Sequence, residues 1–211
     1  MSGTPAGGTP GSRPVAPSTG TPVGLGPVPV VNAANVLTAL RLVLVPVFIG
    51  LVVVSRLELV GWRIATAVVF TVASLTDFVD GWIARRFGLV TSFGKVADPI
   101  ADKALTGTAL LLLSAYGRLS WWVTVVILAR EVGVTLLRFW VIRYGVIAAS
   151  RGGKAKTALQ ILAIAWYLWP FPPGPAAVGP WIMAAAVLAT VATGVDYAVR
   201  ALRLRRSGGR A

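Results

Sequence analysis

Apolar residues in this chain come in long runs instead of the short alternations of a water-soluble fold. Six runs approach the ~20 residues that a bilayer requires: 31–55, 62–83, 96–116, 121–141, a shorter one over 157–169, and 181–201. Each predicts an α-helix, because a lone segment in hydrocarbon must satisfy its own backbone. Pro46 predicts a kink in the first, and Phe171-Pro172-Pro173-Gly174-Pro175 predicts a loop between the last two. Trp121, Trp122, Trp166, Trp169 and Trp181 lie near run ends, as interfacial aromatics do. Residues 1–28 are Gly, Pro, Ser and Thr with one charge, Arg13, and lack the apolar core of a signal peptide. The expected organisation is a disordered tail over 1–28, one all-α integral membrane domain of six transmembrane helices over 29–206, and a short tail over 207–211.

Composition supports this reading and narrows the chemistry. Apolar residues make up 56% of the chain, and the mean hydropathy of +0.78 lies well above that of soluble proteins. Cysteine and histidine are both absent. That excludes thiol chemistry, zinc sites of the usual kind, and every Ser/His or Cys/His arrangement. Any catalysis must come from carboxylates, lysines, arginines and bound metal. The formal charge of +13 sits between and beside the apolar runs, not in a separate basic domain. It therefore points to anionic membrane lipids and phosphorylated substrates, with no nucleic acid as partner.

The same charges predict an orientation. With both termini in the cytoplasm, the inner loops and C-terminal tail hold Arg85, Arg86, Lys95, Arg143, Arg151, Lys154, Lys156, Arg200, Arg203, Arg205, Arg206 and Arg210. The outer loops then hold only Arg56, Arg63 and Arg118, a strong positive-inside bias.

The acidic residues are distributed unevenly. There are seven, and four of them, Asp77, Asp80, Asp98 and Asp102, fall in one stretch between apolar runs. An ionised Asp at the centre of a membrane helix costs roughly 2.5–3.5 kcal/mol on insertion scales, and four together would repel one another unless positive charge were supplied. Spacings of three and four place each pair on one helix face. Gly81 and Ala84 continue the first face with almost no side chain, which permits close approach of another group. Two helices joined by a short turn at the cytoplasmic leaflet could aim all four at one cavity. The pattern suggests a carboxylate-lined metal site, and oxygen-only ligands favour hard cations such as Mg²⁺ or Mn²⁺.

Six further ionisable residues fall within the runs: Arg41, Lys103, Arg130, Glu131, Arg138 and Asp196. Such groups face an interior or a cavity. Internal pairing, for example of Arg130 or Arg138 with Glu131 or Asp196, is as reasonable as function. An approximate ring of Arg130, Arg138, Arg143, Lys154 and Lys156 towards one side of the membrane would suit a phosphate.

From Asp77 to Asp102 the chain reads D-x2-D-G-x2-A-R-x8-G-x3-D-x3-D, which resembles the signature of the CDP-alcohol phosphatidyltransferases. The resemblance covers about residues 30–205. It implies a six-span fold, a homodimer, and two divalent cations held by Asp77, Asp80, Asp98 and Asp102 that grip the diphosphate of a CDP-linked lipid. Asp102 would also accept the proton. Gly81, Ala84 and Arg85 would contact cytidine and diphosphate, and Thr91 falls where some relatives bind the nucleotide through a hydroxyl.

Asn35-Val36-Leu37-Thr38-Ala39-Leu40-Arg41 with Pro46, together with Asp98-Pro99-Ile100-Ala101-Asp102-Lys103 and Arg130-Glu131, resembles the bacterial phosphatidylglycerophosphate synthase branch. This places Asn35 among the residues that bind the CDP-lipid. The resemblance implies transfer from CDP-diacylglycerol to sn-glycerol 3-phosphate. A cardiolipin synthase, using phosphatidylglycerol, is the nearest rival, and inositol-phosphate transfer fits the first-span motif less well. A cation transporter would call for repeats of short broken helices, which the pattern lacks. Ala-, Val-, Gly- and Arg-rich usage resembles that of a high-GC bacterium such as an actinobacterium.

Overall fold

A computed structural model describes residues 33–87, 92–141 and 151–208, with side chains over 36–76, 79, 103–137, 139–140 and 152–205. The described residues form six long helices and one short one. They are α1 (Ala33–Ser55), α2 (Val60–Phe87), α3 (Ser92–Ala115), α4 (Trp121–Val141), α5 (Arg151–Leu168), α6 (Pro173–Ala176) and α7 (Gly179–Gly208). Each apolar run corresponds to one long helix, and no strand occurs among the described residues.

The departures from expectation lie at the ends of the runs. α5 begins at Arg151, several residues before its apolar run, so Lys154 and Lys156 are helical and not in a loop. α7 continues to Gly208, so the basic turns carrying Arg200, Arg203 and Arg205 belong to the helix. At 30 residues α7 is about 45 Å long, more than the ~30 Å hydrocarbon core, and its charged turns have room to extend past it. The proline-rich connection contains one helical turn, α6, which follows an extended Pro172. Proline suits a first helical turn because its missing N–H would have no partner there. α1 runs without interruption through Pro46, where the Leu42 carbonyl loses its usual backbone donor.

α1 packs on α2 and α3, α7 on α4 and α5, and α2, α3 and α5 join the two groups. Phe48, Val52, Phe70, Leu105, Leu110, Leu113, Ile127, Ile164 and Leu168 form the core, with the Phe48 and Phe70 rings 5.8 Å apart. Two pairs of polar groups inside meet across helices. Ser114 of α3 meets Thr124 of α4 at 2.7 Å, and Gln160 of α5 donates to Thr190 of α7 at 3.2 Å. The outside is apolar: Val43, Val54, Val125, Val132, Leu136, Phe139 and Leu188 are all exposed. Apolar surface this extensive is suited to lipid, not water. Two stretches, Val36–Ser55 and Pro173–Arg205, are long and apolar enough to cross a bilayer by length and composition alone.

One end of the bundle is closed by arginines. Arg63 lies in the first turn of α2, not in the outer loop expected for it. It donates to the Leu168, Tyr167 and Trp169 carbonyls at 3.0, 2.9 and 3.3 Å, satisfying acceptors left open where α5 ends. Arg118 donates to the Leu57 carbonyl at 2.7 Å, joining the α3–α4 and α1–α2 connections. Gly117, at φ +68°, ends α3, and the Arg118 N–H returns to Leu113 at 2.8 Å. A left-handed residue at this position is the usual way to close a helix.

Candidate active site

The four aspartates lie on the helices that the sequence predicts, at the opposite end from Arg63. Asp77 and Asp80 are in the last turns of α2, Asp98 and Asp102 in the first turns of α3, and the two helices pack together. Asp77 stands ten residues before the end of α2 and Asp102 ten after the start of α3, with Asp80 and Asp98 seven and six away. At 1.5 Å per residue the pairs occupy matched depths along their helices. Their side chains lie outside the described residues, as do those of Asn35, Gly81, Ala84, Arg85 and Arg138. Thr91 and Arg143 lie outside them altogether.

A divalent pair can be tested against the donor set and its surroundings. Carboxylate oxygens fit hard cations. Ser74, one turn before Asp77 on α2, is buried, and its hydroxyl has no partner among the described residues. An unsatisfied hydroxyl one turn from Asp77 is compatible with a hydrated ion nearby. Among the described residues no three acidic groups converge.

Beginning at Lys103, the residue after Asp102, the described side chains form a charged cluster. Glu131 of α4 accepts from Lys103 of α3 at 3.0 Å through Oε2. Through Oε1 it accepts from its neighbour Arg130 at 3.1 Å and from Lys156 of α5. Arg130 extends to α7, where Nε donates to the Thr190 carbonyl at 3.1 Å and Nη2 to the Thr193 hydroxyl at 2.8 Å. Gly194 leaves room for that crossing, since a Cβ there would stand 3.0 Å from Arg130 Cγ. The Lys156 side chain is 6% exposed and that of Lys103 44%. The cluster therefore grades from buried to open. Beside it lies a cavity of about 290 Å³ lined by Lys103, Thr106, Ile127, Glu131, Val132 and Gln160 among others. Thr106 follows Asp102 by one turn on the same face of α3.

The expected phosphate ring is thus only partly visible. Arg130 and Lys156 come together, through Glu131. Lys154 is exposed on another face of α5. Of the internal pairings expected, Arg130–Glu131 forms, whereas Asp196 pairs with Arg200, one turn along α7, at 3.0 Å. Sequence reasoning did not assign Thr190, Thr193 and Gln160 to this region. Their only signal is a hydroxyl or amide inside an apolar run, which many spans contain.

A model of the CDP-alcohol phosphatidyltransferases matches residues 31–192, a span that includes the aspartates and the Glu131 cluster. A Mycobacterium tuberculosis protein named probable phosphatidylglycerophosphate synthase is 51% identical over 175 residues, 82% of this chain and 83% of its own length. The CDP-diacylglycerol–glycerol-3-phosphate 3-phosphatidyltransferase of Escherichia coli K12 is 40% identical over 144 residues, 65% of this chain and 77% of its own. A Shigella flexneri protein of that name matches equally.

Proposed function

The chain belongs to the CDP-alcohol phosphatidyltransferase family, and from that premise we propose that it transfers the phosphatidyl group of CDP-diacylglycerol to sn-glycerol 3-phosphate. The products are phosphatidylglycerophosphate and CMP. The observation that carries this reading is the unbroken run from Asp77 to Asp102, set at matched depths on two packed helices next to a cluster of cations.

Each group has a role in the proposed reaction. The family generally uses divalent cations, and Asp77, Asp80, Asp98 and Asp102 would hold two, Mg²⁺ or Mn²⁺. When bound, such ions neutralise the diphosphate and stabilise the departing CMP. Gly81, Ala84, Arg85, Thr91 and Asn35 would bind the CDP-lipid. Arg130 and Lys156, with Arg138 and Arg143, would hold the acceptor's phosphate. Asp102 takes the proton from the acceptor's free hydroxyl as its oxygen attacks the phosphorus bearing the lipid, and the bond from that phosphorus to CMP breaks. Without histidine, an aspartate within hydrogen-bond reach is the available base. Direct displacement follows from the lack of an activated nucleophile for a covalent intermediate.

The protein would work as a homodimer in a bacterial cell membrane, its site and both termini facing the cytoplasm. The domain spans about 29–206 between short tails. An acceptor panel tests the reading: purified protein with Mg²⁺ or Mn²⁺ and CDP-diacylglycerol receives glycerol 3-phosphate, phosphatidylglycerol, inositol phosphate or serine. CMP release should follow glycerol 3-phosphate alone. Release driven by phosphatidylglycerol instead would assign a cardiolipin synthase.

A further inference from the structure

Glu131 stands where the proposed chemistry gives it no part. A carboxylate among cations that bind an anion works against that binding, so its presence requires a separate reason. Arg130 does not depend on it, being held also by Thr190 and Thr193. Lys103 and Lys156 have no other partner among the described residues. The two carboxylate oxygens are divided between helices: Oε1 serves the cations of α4 and α5, Oε2 the lysine of α3. Lys103 directly follows Asp102 in the chain, and Thr106, one turn beyond Asp102, lines the cavity whose rim includes Glu131.

We infer that Glu131 is a positioning residue that ties the acceptor-binding cations of α4 and α5 to the turn of α3 carrying Asp102. The inference rests on the phosphatidyl-transfer reading. The acceptor is a three-carbon molecule held by its phosphate at one end and deprotonated at the other. The separation of its phosphate ligands from its base must therefore match its length. A carboxylate bridging the helices sets that separation, and a misplacement of about 1 Å at such a site can cost on the order of 10²-fold in rate. Its negative charge is tolerable because three cations and one carboxylate leave two positive charges, which suit a phosphomonoester dianion.

The test uses the full chain in phosphatidylcholine nanodiscs with Mn²⁺, following CMP release against glycerol 3-phosphate and, separately, binding of CDP-diacylglycerol. Glu131→Gln should lower kcat by about 30- to 100-fold, with the Kd for CDP-diacylglycerol within about twofold of wild type. Lys103→Met should behave alike, and the double variant should be no slower than the slower single, because both cut one bridge. Glu131→Asp should recover about tenfold of the loss, keeping the charge at a shorter reach. A Glu131→Gln kcat within about threefold of wild type, or multiplying losses in the double variant, would overturn the inference. If Glu131→Gln fails to bind CDP-diacylglycerol, the lysine decides. Lys103→Arg retaining kcat while Lys103→Met loses it supports the tie, and equal activity of the two refutes it. A wild-type protein that releases no CMP with glycerol 3-phosphate would remove the transfer reading and this inference together, whereas losses confined to one role leave the other readable.

Discussion

Where α1 turns into α2, arginines donate to backbone carbonyls: Arg63 caps α5 and Arg118 secures Leu57. Where α3, α4 and α5 meet, the cations converge on a side-chain carboxylate, Glu131, beside a cavity. A carbonyl at a helix end carries only partial charge and cannot move without unwinding its helix. A cation bound there is committed to the fold. A lysine held by a carboxylate keeps further N–H donors and can add a phosphate oxygen without releasing that partner. The same residue types thus lock one end of the bundle and, between its helices, stand available for chemistry.

The sharpest way to break this contrast is at the aspartates. Asp102→Asn should lower turnover by on the order of 10²–10⁴-fold while CDP-diacylglycerol binding persists, as seen by equilibrium binding beside a CMP-release assay. Turnover at the wild-type rate would take the base away from Asp102. A smaller effect is expected in the Glu131 cluster. Lys156→Met should raise the KM for glycerol 3-phosphate about tenfold, in line with a charge-assisted hydrogen bond of ~1.5–3 kcal/mol, with the KM for CDP-diacylglycerol little changed. An unmoved acceptor KM would exclude Lys156 from the phosphate site. At the closed end the sign of the contrast reverses: Arg63→Ala should cost about 1–2 kcal/mol of stability through the freed α5 carbonyls. It should lower the thermal midpoint and leave kcat alone. A kcat loss there with an unchanged midpoint would contradict the division of labour.

The legible features were the ones set by neighbours in the chain. The length of each apolar run predicted all six long helices, because a span's length answers to bilayer thickness. The run from Asp77 to Asp102 was readable because three- and four-residue spacings fix a helix face without reference to anything distant. Helix ends were less legible. Lys154, Lys156 and the arginines of α7 are polar enough to look like loop, yet a helix can continue past the hydrocarbon region once nucleated, since each further residue adds a bond at little cost. The pairing of charges was legible least of all. Glu131 is as far from Lys103 and Lys156 in sequence as 28 and 25 residues, and Arg63 lies 105 residues from the carbonyl it caps.

What the sequence by itself determined, then, was a six-helix membrane protein with an oxygen-donor acid motif and no histidine or thiol chemistry, because run length, spacing and donor type are local properties. Only the tertiary structure decided which cations meet Glu131, that Arg130 crosses to α7 over Gly194, and that Arg63 belongs to the end of α5. Those contacts depend on how helices distant in sequence are packed, and no spacing along one helix encodes its neighbour.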